Sequence, residues 1–205
     1  YGGLPDNRGD FSDSQPLASP MGAPADGDGG DGVGGTVTMN ITNGAVVTLG
    51  SLDLHADGIA DIYAQNSGDG IGGSASLLIS NGARINVAGA TSITAIGLGY
   101  IGGMTSGDGT GGSVTVNISG INSALISATT LLDASGIGGG ALGQEIDPID
   151  GSSRIGPRGG NGEGGTVTFT NSATVTRFSG SDLGALRVAA DGAGGAAFPA
   201  SPTDG

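Results

Sequence analysis

Three aspartates recur at one place in the chain. Asp31, Asp69 and Asp108 each stand three residues before a glycine pair, in the pattern Gly-Asp-Gly-x-Gly-Gly. A fourth copy of the pattern carries Asn161 there, with Glu163 close by, and Asp28 adds an acid in the run Asp26-Gly27-Asp28-Gly29-Gly30-Asp31. Calcium takes carboxylate and backbone carbonyl oxygens, and glycine-rich loops supply the latter. Asp28, Asp31, Asp69 and Asp108 are therefore candidate calcium ligands. Turn chemistry is the other explanation, because Asp-Gly favours tight reversals with positive φ. The calcium repeat of secreted toxins, G-G-x-G-x-D-x-U-x, is not matched.

Groups able to move protons are few. His55 is the single histidine, lysine is absent, and Glu145, Asp147 and Asp150 form the main acidic cluster outside the glycine-rich insertion. Glycosidic chemistry needs paired carboxylates at a controlled separation, whereas these acids are distributed by repeat or sit in one loop. His55 alternates with Leu54 and is predicted to face solvent. The glycine-rich loops have no lysine to complete a phosphate-binding loop. The expectation is a chain that is not an enzyme. Arg8-Gly9-Asp10 spells an integrin-recognition tripeptide, but three residues in a chain this rich in Gly and Asp are readily a coincidence. The sequons Asn40-Ile41-Thr42 and Asn117-Ile118-Ser119 fall inside predicted strands.

Nineteen acids against six arginines give a net charge of −13. Such a surface offers no counterion release on a phosphate backbone, which excludes nucleic acid as a natural partner. Anionic membrane surfaces are disfavoured likewise. Cysteine is absent, so there is neither a disulfide framework nor a thiolate metal site. No apolar stretch is long enough for a membrane span. Glycine makes up 46 of 205 residues, without the every-third-position spacing of collagen.

What must position these residues is a repeat. Gly34-Gly35-Thr36-Val37-Thr38, Gly72-Gly73-Ser74-Ala75-Ser76, Gly111-Gly112-Ser113-Val114-Thr115 and Gly164-Gly165-Thr166-Val167-Thr168 share one pattern. Each is followed by a second signature: Leu52-x-Leu54-x-Ala56-Asp57-Gly58, Ile93-x-Ala95-x-Gly97, Leu132-x-Ala134-x-Gly136 and Leu186-x-Val188-x-Ala190-Asp191-Gly192. Within a copy the apolar period is two, as in Val37, Met39 and Ile41, which marks strands buried on one face. Asn43-Gly44 and Asn81-Gly82 mark turns, and Asn43, Asn81, Asn122 and Asn171 are expected to stack as an amide column. The longest glycine-free stretch, Ile121 to Ser135, is the one place where a short helix would fit. Corresponding strands are alike because like side chains lie on one another about 4.8 Å apart in a parallel stack. The prediction is an all-β parallel β-solenoid of about four coils with three short strands each. The coils fall at 34–60, 72–99, 111–137 and 164–192, after an insertion at 1–33, with a long loop at 138–163 and a connector at 193–205. Tyr1-Gly2-Gly3-Leu4 resembles Tyr100-Ile101-Gly102-Gly103-Met104, so the chain reads as a window from a longer polypeptide. Thr36, Thr38, Thr166 and Thr168 place hydroxyls outward in a manner similar to ice-binding solenoids, although only two of four coils keep both threonines.

The L-x-[LIV]-x-A-x-G signature, the G-D-G-x-G-G connector and the [TS]-V-T-V strand resemble the long β-strand-repeat exoproteins of Gram-negative bacteria. These include autotransporter passengers and filamentous-haemagglutinin-like adhesins. The resemblance covers Gly34 to Gly58, the turns around Asp69 and Asp108, and the matching parts of the later coils. It implies secretion to the bacterial cell surface, a β-helix, and adhesion or matrix formation. Expected partners are neighbouring copies or further repeats, and host or matrix carbohydrate. A calcium-binding adhesive module, a viral tail-fibre shaft and a polysaccharide-acting β-helix enzyme are the alternatives.

Overall fold

The computed structural model describes residues 25–61, 64–102, 105–142, 145–146, 153–154, 158–176, 180–195 and 197–198. Alternating apolar residues build two parallel walls. One stacks Thr36–Ile41, Ser74–Ile79, Ser113–Ile121 and Thr166–Thr174 in that order. The register places Val37 on Ala75, Ala75 on Val114 and Val114 on Val167, so the repeats are one column. The facing wall begins with Val46–Leu49 and Leu52–His55, both paired with the single strand Arg84–Thr94. That strand pairs with Ala124–Asp133, which pairs with Ala185–Ala189. The result is a parallel β-solenoid of four coils, with no helix among the described residues.

Between the walls Leu77, Ile79, Ile85, Ile93, Val116, Ile118 and Leu132 lose all or nearly all solvent contact. Each such side chain contributes roughly 1.5–3 kcal/mol on burial. In the first wall the equivalent residues of the outer coils, Val37, Met39, Val167 and Phe169, are only partly buried, while Leu52, Leu54 and Ala56 in the first coil's second wall are buried.

Beyond the walls the coil narrows to a glycine seam. Gly58–Ile59, Gly97–Leu98, Gly136–Ile137 and Gly192–Ala193 form one ladder of two-residue strands. Gly32–Val33, Gly70–Ile71, Gly109–Thr110 and Gly162–Glu163 form another. The two ladders meet backbone to backbone: a Cβ on Gly58 would overlap the carbonyl of Ile71, and one on Gly97 that of Thr110. Glycine fills these positions because no side chain fits there. The alternate residues are forced outward, leaving Val33 and Ile59 mostly exposed at 69% and 58%. Bonds across the coil tie the walls together at its mouth, from Gly73 N–H to Ala56 O at 2.6 Å, Gly112 to Ala95 at 2.7 Å and Gly165 to Ala134 at 2.7 Å.

Several boundaries differ from the expected ones. The three expected short strands stand apart in the first coil, as Thr36–Ile41, Val46–Leu49 and Leu52–His55, whereas in the second and third coils the last two run together as Arg84–Thr94 and Ala124–Asp133, and glycine dipeptides add to each coil. The ladders also start earlier than residue 34: Ala25–Asp28 pairs with Ala64–Asn66, and Gly32–Val33 belongs to the seam. Within 138–163, Ala141–Leu142 runs parallel to Ala197–Phe198, and Glu145–Ile146 pairs antiparallel with Ser153–Arg154. Ala124–Asp133, inside the proposed helical stretch, is strand, since its register with Arg84–Thr94 outweighs local propensity. Asn171 is not at a corner, because the fourth strand continues to Thr174 and sets Asn171 beside Ile118. Among the described residues no helix is long and apolar enough to cross a membrane.

Candidate functional site

The recurrent aspartates sit at the corner where the chain enters the seam. Gly30-Asp31-Gly32, Gly68-Asp69-Gly70, Gly107-Asp108-Gly109 and Gly160-Asn161-Gly162 lie in successive rungs. Above the first rung the preceding glycine stacks without room for a side chain, since a Cβ on Gly68 would overlap Gly30, one on Gly107 would overlap Gly68 and one on Gly160 would overlap Gly107, while Gly30 itself is open. Only the acid projects. Its Oδ1 accepts the backbone N–H of the equivalent residue one coil on: Asp69 to Asp31 at 2.8 Å, Asp108 to Asp69 at 2.8 Å and Asn161 to Asp108 at 2.6 Å. The carbonyls of Asp69, Asp108 and Asn161 in turn accept from Gly32, Gly70 and Gly109 of the coil before, each at 2.8 Å. The side chain has replaced a ladder carbonyl at the corner.

This geometry explains how like charges stack. Carboxylates one rung apart in water repel by about 1 kcal/mol. A hydrogen bond to a charged acceptor contributes roughly 1.5–3 kcal/mol, so the bond prevails. Asp31, Asp69 and Asp108 share this exposed column, and Asp28 does not. Asp28 Oδ1 accepts from Asn66 Nδ2 at 2.7 Å, and Asn66 Oδ1 accepts from Thr105 Oγ1 at 2.7 Å. That second column continues through a backbone bridge from Thr105 to Arg158. Among the described residues no three His, Cys, Asp or Glu side chains converge as a metal cage.

A third cluster joins His55, Asp57 and Thr94. The Thr94 hydroxyl lies 2.7 and 2.9 Å from the two Asp57 carboxylate oxygens, and Asp57 Oδ1 also accepts the Ile96 N–H at 2.8 Å. His55 Nδ1 is 2.7 Å from Thr94 Oγ1 and 3.6 Å from Asp57 Oδ2. The threonine proton is committed to the carboxylate, so Nδ1 carries a proton and donates to the threonine oxygen. A hydroxyl nucleophile needs the reverse, a base receiving its proton. Thr94 is also only 3% exposed. The cluster pins one rung to the next. Sequence reading placed His55 outward, where it is, but missed its partner, since Thr94 comes from the next coil. The one available signal was Ala-Asp-Gly recurring at Asp57 and Asp191.

The outer face of the first wall carries no charge over its central columns. Thr36, Ser74, Ser113 and Thr166 stack in one, and Thr38, Ser76, Thr115 and Thr168 in another. Asn40, Leu78, Asn117 and Thr170 follow. At the far corner Asn43, Asn81 and Asn122 take left-handed backbone conformations, with φ of 59°, 53° and 60°. Their amides bond to hydroxyls and backbone of the neighbouring coil: Asn81 Nδ2 donates to Thr42 Oγ1 at 3.3 Å, and Asn122 Oδ1 accepts from the Thr176 N–H at 2.9 Å and from Thr176 Oγ1 at 3.2 Å. Asn serves here because it tolerates positive φ.

Glu145 lies in a strand paired antiparallel with Ser153–Arg154, while Asp147, Asp150 and Arg8-Gly9-Asp10 lie outside the described residues. Comparison with family models, curated proteins and solved structures returned no match to the chain.

Proposed function

We propose that this chain is a non-enzymatic structural module of an extracellular filament, fibre or adhesin stalk on a bacterial surface. The observation that carries the reading is the four-rung register, in which every wall and both seam ladders continue through all coils. A stack of this kind resists extension along its axis through many ladder bonds in parallel, which suits a stalk and is not needed by a compact binding domain. Two features support an external role. The exposed acids keep the rod soluble and apart from anionic membranes. The uncharged hydroxyl face offers matched donors and acceptors to carbohydrate or another neutral surface. The polar clusters around Asp31, Asp57 and Thr94 are satisfied within the ladder, and this favours structure over turnover.

An antibody against the chain tests the reading on cells of the source. Labelling of intact, unpermeabilised cells in lines or tufts is the expected result. Labelling only after permeabilisation removes the extracellular role, and release of reducing ends from acidic polysaccharides by the purified chain removes the non-enzymatic one.

A further inference from the structure

The corners that join the first wall to the second hold two Asn-Gly pairs, Asn43-Gly44 and Asn81-Gly82. Both asparagines are exposed, in left-handed backbone at φ of 59° and 53°. In such a pair the glycine amide nitrogen can attack the carbonyl carbon of the asparagine side chain, because no Cβ on the following residue blocks its approach. A C–N bond forms, the side-chain nitrogen leaves as ammonia, and a succinimide ring closes. Water then opens the ring at either carbonyl, giving aspartate or isoaspartate. The attacking nitrogen must first give up its proton, so the partner of that N–H governs the rate.

The two corners hold this N–H in different ways. Gly44 N–H donates to the backbone carbonyl of Asn81, one coil on, at 2.9 Å. Gly82 N–H donates instead to a side chain of the next coil, Ser123 Oγ, at 3.0 Å. Corner length accounts for the difference. Residues 42–45 join Ile41 to Val46 and residues 80–83 join Ile79 to Arg84, four in each case, whereas five residues, 119–123, join Ile118 to Ala124. The longer corner turns through Gly120 at φ of 85° and brings the hydroxyl of Ser123, not a carbonyl, to Gly82. Ser123 is fully buried, so water does not compete for the bond.

We propose that Asn81-Gly82 is a latent deamidation site and that the Ser123 hydroxyl keeps it closed. Ser123 is a positioning residue here, acting on the nucleophile through its hydrogen bond. The site goes beyond the rod reading and rests on the corner alone. Its conversion matters to the stack, because isoaspartate routes the main chain through the side-chain carbon and lengthens the corner. Arg84–Val87 then leaves its register with Val46–Leu49 on one side and with Ala124–Ser127 on the other.

Peptide mapping by mass spectrometry, on the full chain aged in mildly alkaline buffer, follows Asn43 and Asn81 separately. In the native wild type both convert slowly, and in urea, where the corner bonds are gone, both convert fast. Ser123→Ala should raise the initial rate at Asn81 about fivefold or more, the factor carried by one lost hydrogen bond, and leave that at Asn43 unchanged. Amide exchange at Gly82 should rise in the same variant. An unchanged Asn81 rate in Ser123→Ala overturns the proposal, as does a wild-type Asn81 that converts equally fast in native buffer and in urea. Equal acceleration at both asparagines in Ser123→Ala reports a loosened chain and overturns the assignment to Ser123, while the native-against-urea comparison in wild type still decides the site.

Discussion

Gly73 donates its backbone N–H to the carbonyl of Ala56, at 2.6 Å, across the width of the solenoid rather than along a ladder. The bond joins one coil's first wall to the preceding coil's second wall. It forms because Gly34 carries no side chain, since a Cβ there would overlap both the Ala56 carbonyl and the Gly73 nitrogen, so Gly34 acts as a packing residue.

Substitution at the seam should therefore be severe and sharply local. A Cβ at Gly97 meets the backbone of Thr110 and Gly70, neither of which can yield without breaking a ladder. Gly97→Ala is expected to cost about 3 kcal/mol, at the upper end of overpacking effects. Gly35, one residue from the same corner, has nothing within 4 Å of its Cβ position. Gly35→Ala should stay within about 0.5 kcal/mol of wild type. Urea denaturation of the pair measures the contrast, and equal losses would contradict backbone-to-backbone packing.

At the acidic corner, acceptor and charge can be separated. Asp69→Asn keeps the Oδ1 that takes the Asp108 N–H and removes one charge from the column. It should be neutral or slightly stabilising. Asp69→Ala leaves that N–H without its partner and should lose about 1 kcal/mol. Thermal melting with calcium and with a chelator completes the test. A melting temperature that rises with calcium in wild type but not in Asp69→Asn would make the column a metal site instead.

The cluster at Thr94 predicts a graded series. Thr94→Val deprives Asp57 of a buried donor and should cost about 1–3 kcal/mol. His55→Ala removes a half-exposed side chain and should cost less than about 1 kcal/mol. Amide exchange at Ile96 reports the damage, speeding strongly in Asp57→Ala and little in His55→Ala. The reverse order would shift the weight of the cluster from the carboxylate to the imidazole.

Core deletions should depend on the rung. Leu77→Ala empties a fully buried site between two neighbours and should cost about 2–5 kcal/mol. Met39→Ala, in the same column but at the end of the stack, loses a partly buried side chain and should cost about half as much. Equilibrium unfolding checks both.

Much of the wall architecture was legible in the chain itself. The glycine pairs align Val37, Ala75, Val114 and Val167, and the period of two around them tells inside from outside. The seam was not legible, because a glycine dipeptide has no apolar period and reads as a turn until the opposing ladder is seen. The stacking of Asp31, Asp69 and Asp108 could be anticipated from their spacing. What holds them could not, since the partner is a backbone N–H and leaves no mark in residue type. Asn171 misled for a related reason. It is an asparagine near the end of the first strand run like the others, but it stands six residues past Gly165 where Asn43 and Asn81 stand eight past Gly35 and Gly73, and its register is with Ile118 inside the strand.

The central claim is that equivalent residues of successive coils lie directly above one another. The chain has no cysteine, so spin labels can be placed at will. Thr115→Cys with Thr168→Cys labels two outward neighbours in one column, and Thr115→Cys with Ser172→Cys moves the second label four residues along the strand. Continuous-wave spectra should show strong dipolar broadening for the first pair and much weaker broadening for the second, whose backbone separation is greater by about 10 Å. Equal broadening, or none in the first pair, would contradict the stacked register.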